Sequence, residues 1–146
     1  GFVAGDAKIL QEYFRLRTYT GCATPPFIQQ AATKAWQDEA HVEENRVLYR
    51  QKLQDAVKIL SPVLPVEKPD AGFYLWLKVP GGGVSFARNL YEGYSVTVLP
   101  GAFLSRENCG ENPGEPYIRV AMVAPADESR EAMERIASCA KKLNNN

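Results

Sequence analysis

From Gly72 to Val79 the chain alternates without interruption: Phe73, Leu75, Leu77 and Val79 fall on one side, Tyr74, Trp76 and Lys78 on the other. A period of two over such a stretch predicts a β-strand with one face on a core. That commits the fold to a sheet and to a layer covering its apolar face. Pro80-Gly81-Gly82-Gly83 then turns the chain. A short helix is predicted over about 84–93, and a strand from Ser95 to Leu99, stopped by Pro100-Gly101. Residues 104–116 read as a polar loop, and Tyr117 to Val123 as a further strand. The last helix, about 126–142, has Asp127 and Glu128 in its first turn and lysines in its last, as the helix dipole favours.

Upstream the periodicity is helical. Asp6 can cap a helix over 7–17, with Ile9, Leu10, Tyr13 and Phe14 at helical spacing. Gly21, Thr24 and Pro25-Pro26 make residues 18–26 a loop. A second helix is expected from about Phe27 to Glu39. A third runs from about His41 to Leu60, striped by Val42, Tyr49, Leu53, Ala56 and Leu60. Ser61-Pro62 and Pro65 end it.

The expected architecture is therefore a small α+β domain over residues 41–146, a largely antiparallel sheet with helices on one face. Residues 1–40 do not complete a second core. Gly1-Phe2-Val3-Ala4-Gly5-Asp6 reads as an apolar strand ending in a helix cap, with no initiator Met. The expectation is a piece of a longer protein, residues 1–40 being the incomplete tail of a larger domain.

Seventeen basic residues balance seventeen acidic ones, so no cationic excess favours nucleic acid or an anionic membrane. No apolar run approaches the ~18 residues of a membrane helix. Cys22, Cys109 and Cys139 are odd in number and lack C-x-x-C spacing, which suggests free thiols and a cytoplasmic setting. His41, alone of its type, cannot anchor a zinc site and reads as a surface or capping residue. Gly81-Gly82-Gly83 lacks the spacing of a phosphate loop and reads as a connector. None of the serines has a nucleophile-elbow context.

Arg119 stands apart. It lies in mid-strand in Tyr117-Ile118-Arg119-Val120-Ala121-Met122-Val123, on the side away from Ile118, Val120 and Met122. A guanidinium among apolar neighbours is costly unless a carboxylate meets it. Its planar fork grips a carboxylate with two parallel hydrogen bonds, which suits an amino or keto acid. An internal salt bridge to a Glu and an exposed edge position are the other readings of the same pattern.

Three segments in fixed order carry a resemblance: Asp70-Ala71-Gly72-Phe73-Tyr74-Leu75-Trp76-Leu77, then Val96-Thr97-Val98-Leu99-Pro100-Gly101-Ala102-Phe103, then Tyr117-Ile118-Arg119-Val120-Ala121. Together they resemble the C-terminal half of class I aminotransferases of fold type I, dependent on pyridoxal 5'-phosphate. Arg17-Thr18-Tyr19-Thr20-Gly21 and the run Trp36 to Arg46 look like the succinyldiaminopimelate aminotransferases. The resemblance implies that Arg119 binds the substrate α-carboxylate and that Tyr74 lies near the substrate. It implies that Arg17, Tyr19 and Thr20 cross a homodimer interface towards cofactor phosphate or a distal substrate carboxylate. Related sequences often carry His where this one has Thr20.

The resemblance further implies amino transfer between glutamate and a keto acid, N-succinyl-2-amino-6-ketopimelate in lysine and diaminopimelate synthesis. The family's cofactor-bearing lysine belongs upstream of Gly1, and none of Lys8, Lys34, Lys52, Lys58, Lys68, Lys78, Lys141 or Lys142 lies in a matching segment. The 146 residues alone are therefore expected to be inactive, with no catalytic residue of their own. Two readings of other classes stand beside this one: an amino-acid-binding regulatory domain, and a dimerisation module without catalysis.

Overall fold

A computed structural model describes residues 3–145. The chain divides after His41 into two compact units. In the first, α1 (Ala7–Arg17) starts where the Asp6 carboxylate accepts from the amides of Lys8 and Ile9, at 2.9 and 3.3 Å. Two donors that a helix start leaves orphaned are thereby satisfied. The second helix, α2 (Pro26–Gln37), opens on proline, whose fixed φ and missing N–H suit that position. Neither helix buries a residue.

The expected opening strand is not formed in its described part. Val3 and Ala4 have no ladder partner and Val3 is exposed; Gly1 and Phe2 lie outside the described residues. An extended segment with no neighbour to take its amides has nothing to make it a strand.

The second unit is an α+β layer pair. Helix α3 (Ala40–Leu60) leads to β1 (Tyr74–Lys78), then α4 (Gly83–Tyr94), β2 (Leu99–Pro100), a 3-10 turn at Gly101–Phe103, β3 (Tyr117–Ala121) and α5 (Ala126–Asn144). The sheet order is β1-β3-β2, antiparallel throughout. Leu75, Leu77, Ile118 and Val120 point from the sheet into one cluster with Leu53, Ala56 and Leu60 of α3, Phe86 and Leu90 of α4, and Met133, Ile136 and Ala140 of α5. Each of the larger of these side chains (Val, Leu, Ile, Phe or Met), when buried, contributes about 1.5–3 kcal/mol.

Three boundaries differ from expectation, each for a local reason. The strand expected at Ser95–Leu99 shrinks to Leu99–Pro100. Ser95 sits at φ 54°, a left-handed residue closing α4, and both its amide and that of Val96 donate to Leu90 O. Their hydrogen bonds go to the helix end, not to a ladder. The strand expected to reach Val123 stops at Ala121, because the chain turns at Met122, whose amide donates to Phe73 O. Phe73, expected on the buried side, lies outside β1 and is 37% exposed.

Candidate carboxylate-binding face

One face of the sheet is packed under helices; the other carries the candidate chemistry. Residues directly opposite in an antiparallel pair share a face. Trp76 of β1 and Leu99 of β2 both lie opposite Arg119, so Arg119 is where all three strands meet. Tyr74, Lys78, Tyr117 and Ala121 complete this face by alternation.

The contacts on it run diagonally. Tyr74 is in register with Ala121 but carries the guanidinium of Arg119, 4.4 Å from its ring centroid. Trp76 is in register with Arg119 but stacks on Tyr117, at 5.5 Å and 18°. Diagonal neighbours two residues off register are within reach of aromatic and long side chains. Ala121 leaves only a methyl opposite Tyr74, and that gives the arginine room over the ring.

Arg119 is half-buried rather than enclosed. Among the described residues no carboxylate lies within ion-pair distance of it, and its side chain makes no hydrogen bond. The internal salt bridge is thus not found among these residues, and the central place of β3 removes the edge reading. The guanidinium is braced by a ring face, worth about 0.5–1 kcal/mol where solvent reaches it, and keeps all five N–H donors for a ligand. A planar fork with free donors is suited to a carboxylate taken bidentately.

The floor beside Trp76 is set by a backbone crossing. A Cβ on Gly101 would lie 2.4 Å from Gly114 O and 2.9 Å from the Trp76 ring, so only glycine fits there. A polar knot holds the loop: Ser105 Oγ donates to Gly101 O at 3.0 Å, and Asn112 Oδ1 accepts from Gly114 N at 3.0 Å. The spacing of Pro100-Gly101 marked a turn but could not show which backbone would approach it.

Arg17, Tyr19 and Thr20 belong to the first unit. The Arg17 guanidinium donates to Thr20 O, and the Thr20 hydroxyl donates to Leu16 O at 3.1 Å. Both polar groups close their own loop, while the Tyr19 ring is 81% exposed. Arg119 and Tyr74 are therefore brought together, and Arg17 and Thr20 are joined to each other.

In the sequence Tyr49 falls in the stripe of α3 and Lys52 in no matching segment, which gives neither a part in the site. Lys52 Nζ donates to Met122 O and Ala124 O, at 3.1 and 2.6 Å, just beyond the strand that carries Arg119. Their separation by three residues on α3 signals a shared helix face, but not the carbonyls some seventy residues on. Burial raises the pKa of the Cys139 thiol, and so disfavours the reactive thiolate.

No family model matches the chain. It is 29% identical, over 97% of its own length and 36% of the relative's, to "Aromatic-amino-acid aminotransferase 2" of Thermococcus litoralis. Among solved structures, an aminotransferase from Neisseria meningitidis superposes with a TM-score of 0.82 at 47% identity, over 94% of this chain and 35% of that one. A "probable N-succinyldiaminopimelate aminotransferase" from Thermus thermophilus superposes at 0.52 with 30% identity, over 63% of this chain and 24% of that one. The chain thus spans about a third of the length of the curated relatives it matches.

Proposed function

Because the chain is homologous in sequence and in fold to the C-terminal portion of class I pyridoxal-phosphate-dependent aminotransferases, we propose that it supplies the carboxylate-binding side of such an enzyme's active site. The reaction is amino transfer between glutamate and a keto acid. The observation that carries this reading is the guanidinium of Arg119, laid on Tyr74 and free of any internal acid among the described residues.

Arg119 holds the α-carboxylate of each substrate in turn through two charge-assisted hydrogen bonds. Tyr74 holds the fork against its ring, so that less freedom is lost when the acid arrives. Pyridoxal phosphate, when bound, supplies the electron sink that makes the α-proton labile. Of this chain's groups Arg119 fits the substrate end, while Lys52 is held by two backbone carbonyls.

In this proposal residues 1–40 are the tail of the large cofactor-binding domain and residues 41–146 the small domain. Arg17, Tyr19 and Thr20 reach across a homodimer towards cofactor phosphate or a distal substrate carboxylate. The 146 residues alone are inactive, and adding pyridoxal phosphate to them should produce no lysine-linked absorbance band. The proposed keto acid is N-succinyl-2-amino-6-ketopimelate, supported by the Thermus thermophilus neighbour's name and by the likeness of Trp36 to Arg46.

The test is Arg119→Ala in the full-length enzyme. Losing a bidentate charged contact removes about 3 kcal/mol, roughly a hundredfold in kcat/KM for donor and acceptor alike. Unchanged turnover would leave a dimerisation module as the reading. Equal kcat/KM for an aromatic keto acid and the succinylated one would remove the substrate proposal while leaving the reaction class.

A further inference from the structure

Four contacts link the half-buried Lys52 and Tyr49 of α3 to Arg119 in an unbroken series. Lys52 Nζ lies 5.0 Å from the centroid of the Tyr49 ring. The Tyr49 ring meets Phe73 at 5.9 Å, and Phe73 meets Tyr74 at 4.3 Å, both tilted. Tyr74 in turn carries the Arg119 guanidinium at 4.4 Å. Successive residues of a strand point to opposite faces, so Phe73 can touch Tyr74 only because it sits outside the strand. Gly72, at φ +86°, supplies the left-handed backbone that precedes it.

The backbone closes the series into a loop. The amide of Met122 donates to Phe73 O at 2.9 Å, and Lys52 holds the carbonyls of Met122 and Ala124. Lys52 is thus attached to the aromatic series at Tyr49, and to β3 immediately past the residue in register with Tyr74. Tyr49 also packs against the core, but the two residues between it and Arg119 do not belong to that core. Phe73 and Tyr74 are each 37% exposed, and their burial contributes less than that of the enclosed residues.

Resting on the carboxylate-binding role of Arg119 proposed above, we propose that Tyr49, Lys52 and Phe73 are positioning residues that fix the Tyr74 ring and, through it, the direction of the Arg119 guanidinium. A ring free to turn would let the arginine swing over the open face. The fork would then have to be ordered at each binding event, weakening carboxylate binding in ground state and transition state equally.

Two measurements test this. In the 146-residue chain, the Arg119 Nε–Hε proton should resonate upfield through the ring current of Tyr74. Tyr49→Leu and Phe73→Leu should each move it towards its random-coil position, and Tyr49→Phe should leave it in place. In the full-length enzyme, Tyr49→Leu should raise KM for amino acid and keto acid about two- to fivefold with kcat nearly unchanged, the size of one exposed cation–π contact. Tyr49→Phe should restore the parent KM. A merely structural role would lower Tm without moving either readout, and that result overturns the network. Should Tyr49→Leu fail to fold, the half-exposed Phe73→Leu carries the same two readouts. If Arg119→Ala lowers kcat/KM while both leucine variants keep the parent KM, the network is wrong and the carboxylate role stands. If Arg119→Ala itself changes nothing, the carboxylate role fails and the network with it.

Discussion

Helices α2 and α4 have the same length, twelve residues, and both carry apolar side chains at helical spacing. Yet α4 buries Gly83, Phe86 and Leu90, whereas α2 buries nothing and leaves Phe27 70% and Trp36 72% exposed. The periodicity of a helix states that a stripe exists. Only a partner decides whether water leaves it. The helix α4 lies on a sheet whose apolar face is formed within the same unit. In the first unit no sheet is present among the described residues, and its side chains lose little to solvent on unfolding.

The sharpest way to break that contrast is to truncate one phenylalanine in each helix. Phe86 is fully enclosed, so Phe86→Ala should cost about 3–5 kcal/mol, transfer and cavity terms together. Phe27→Ala should stay within about 0.5 kcal/mol in the same chain, as exposed substitutions do. Denaturant unfolding followed by circular dichroism measures both. Comparable losses at the two sites would mean that α2 has a packed partner.

A second prediction turns on polar ties, which the second unit has at long range and the first, among the described residues, only between residues close in sequence. Lys52→Met keeps most of the aliphatic stem and deletes the two carbonyl contacts. Loss of these half-buried charged hydrogen bonds should destabilise the second unit by about 1–3 kcal/mol, read from the midpoint at unchanged slope. A change below a few tenths would show that water replaces the ammonium without loss.

These contrasts explain which parts were legible in the sequence. The strand at residues 74–78 and all five helices could be read because period-two and period-3.6 patterns act through nearest neighbours. Arg119 could be singled out because a charge in an apolar strand is anomalous by itself. That it lies over Tyr74 could not, since the pairing depends on a register of Tyr74 with Ala121 that joins segments over forty residues apart. The strand lost at Ser95 has the same origin: Val96, Thr97 and Val98 have high strand propensity, but the close of α4 takes the backbone groups first. The opening strand failed in its described part for want of a partner, which local pattern cannot supply.

The smallest expected effect lies at the α2–α3 junction, where a helix end depends on capping. Asp38 Oδ1 accepts from the Ala40 amide at 3.1 Å, and Asp38 Oδ2 lies 3.0 Å from His41 Nδ1. The hydrogen bond from His41 holds the carboxyl below its ordinary value of 3.8, with the Ala40 amide assisting. A carboxyl whose pKa is depressed by folding stabilises the folded form above its unfolded value, and that contribution is lost as pH falls through the lowered folded value. The first turn of α3 should therefore be intact from neutral pH down to about 4, and should fray only below it. Amide exchange at Ala40 and His41 checks this, against Asp38→Asn as a control that keeps a capping oxygen but cannot titrate. In the variant the protection at these two amides should become flat across that acid window. If the parent chain and Asp38→Asn show the same protection across that window, the carboxylate does not govern this helix start, and short-range capping would no longer account for order in a unit without a core.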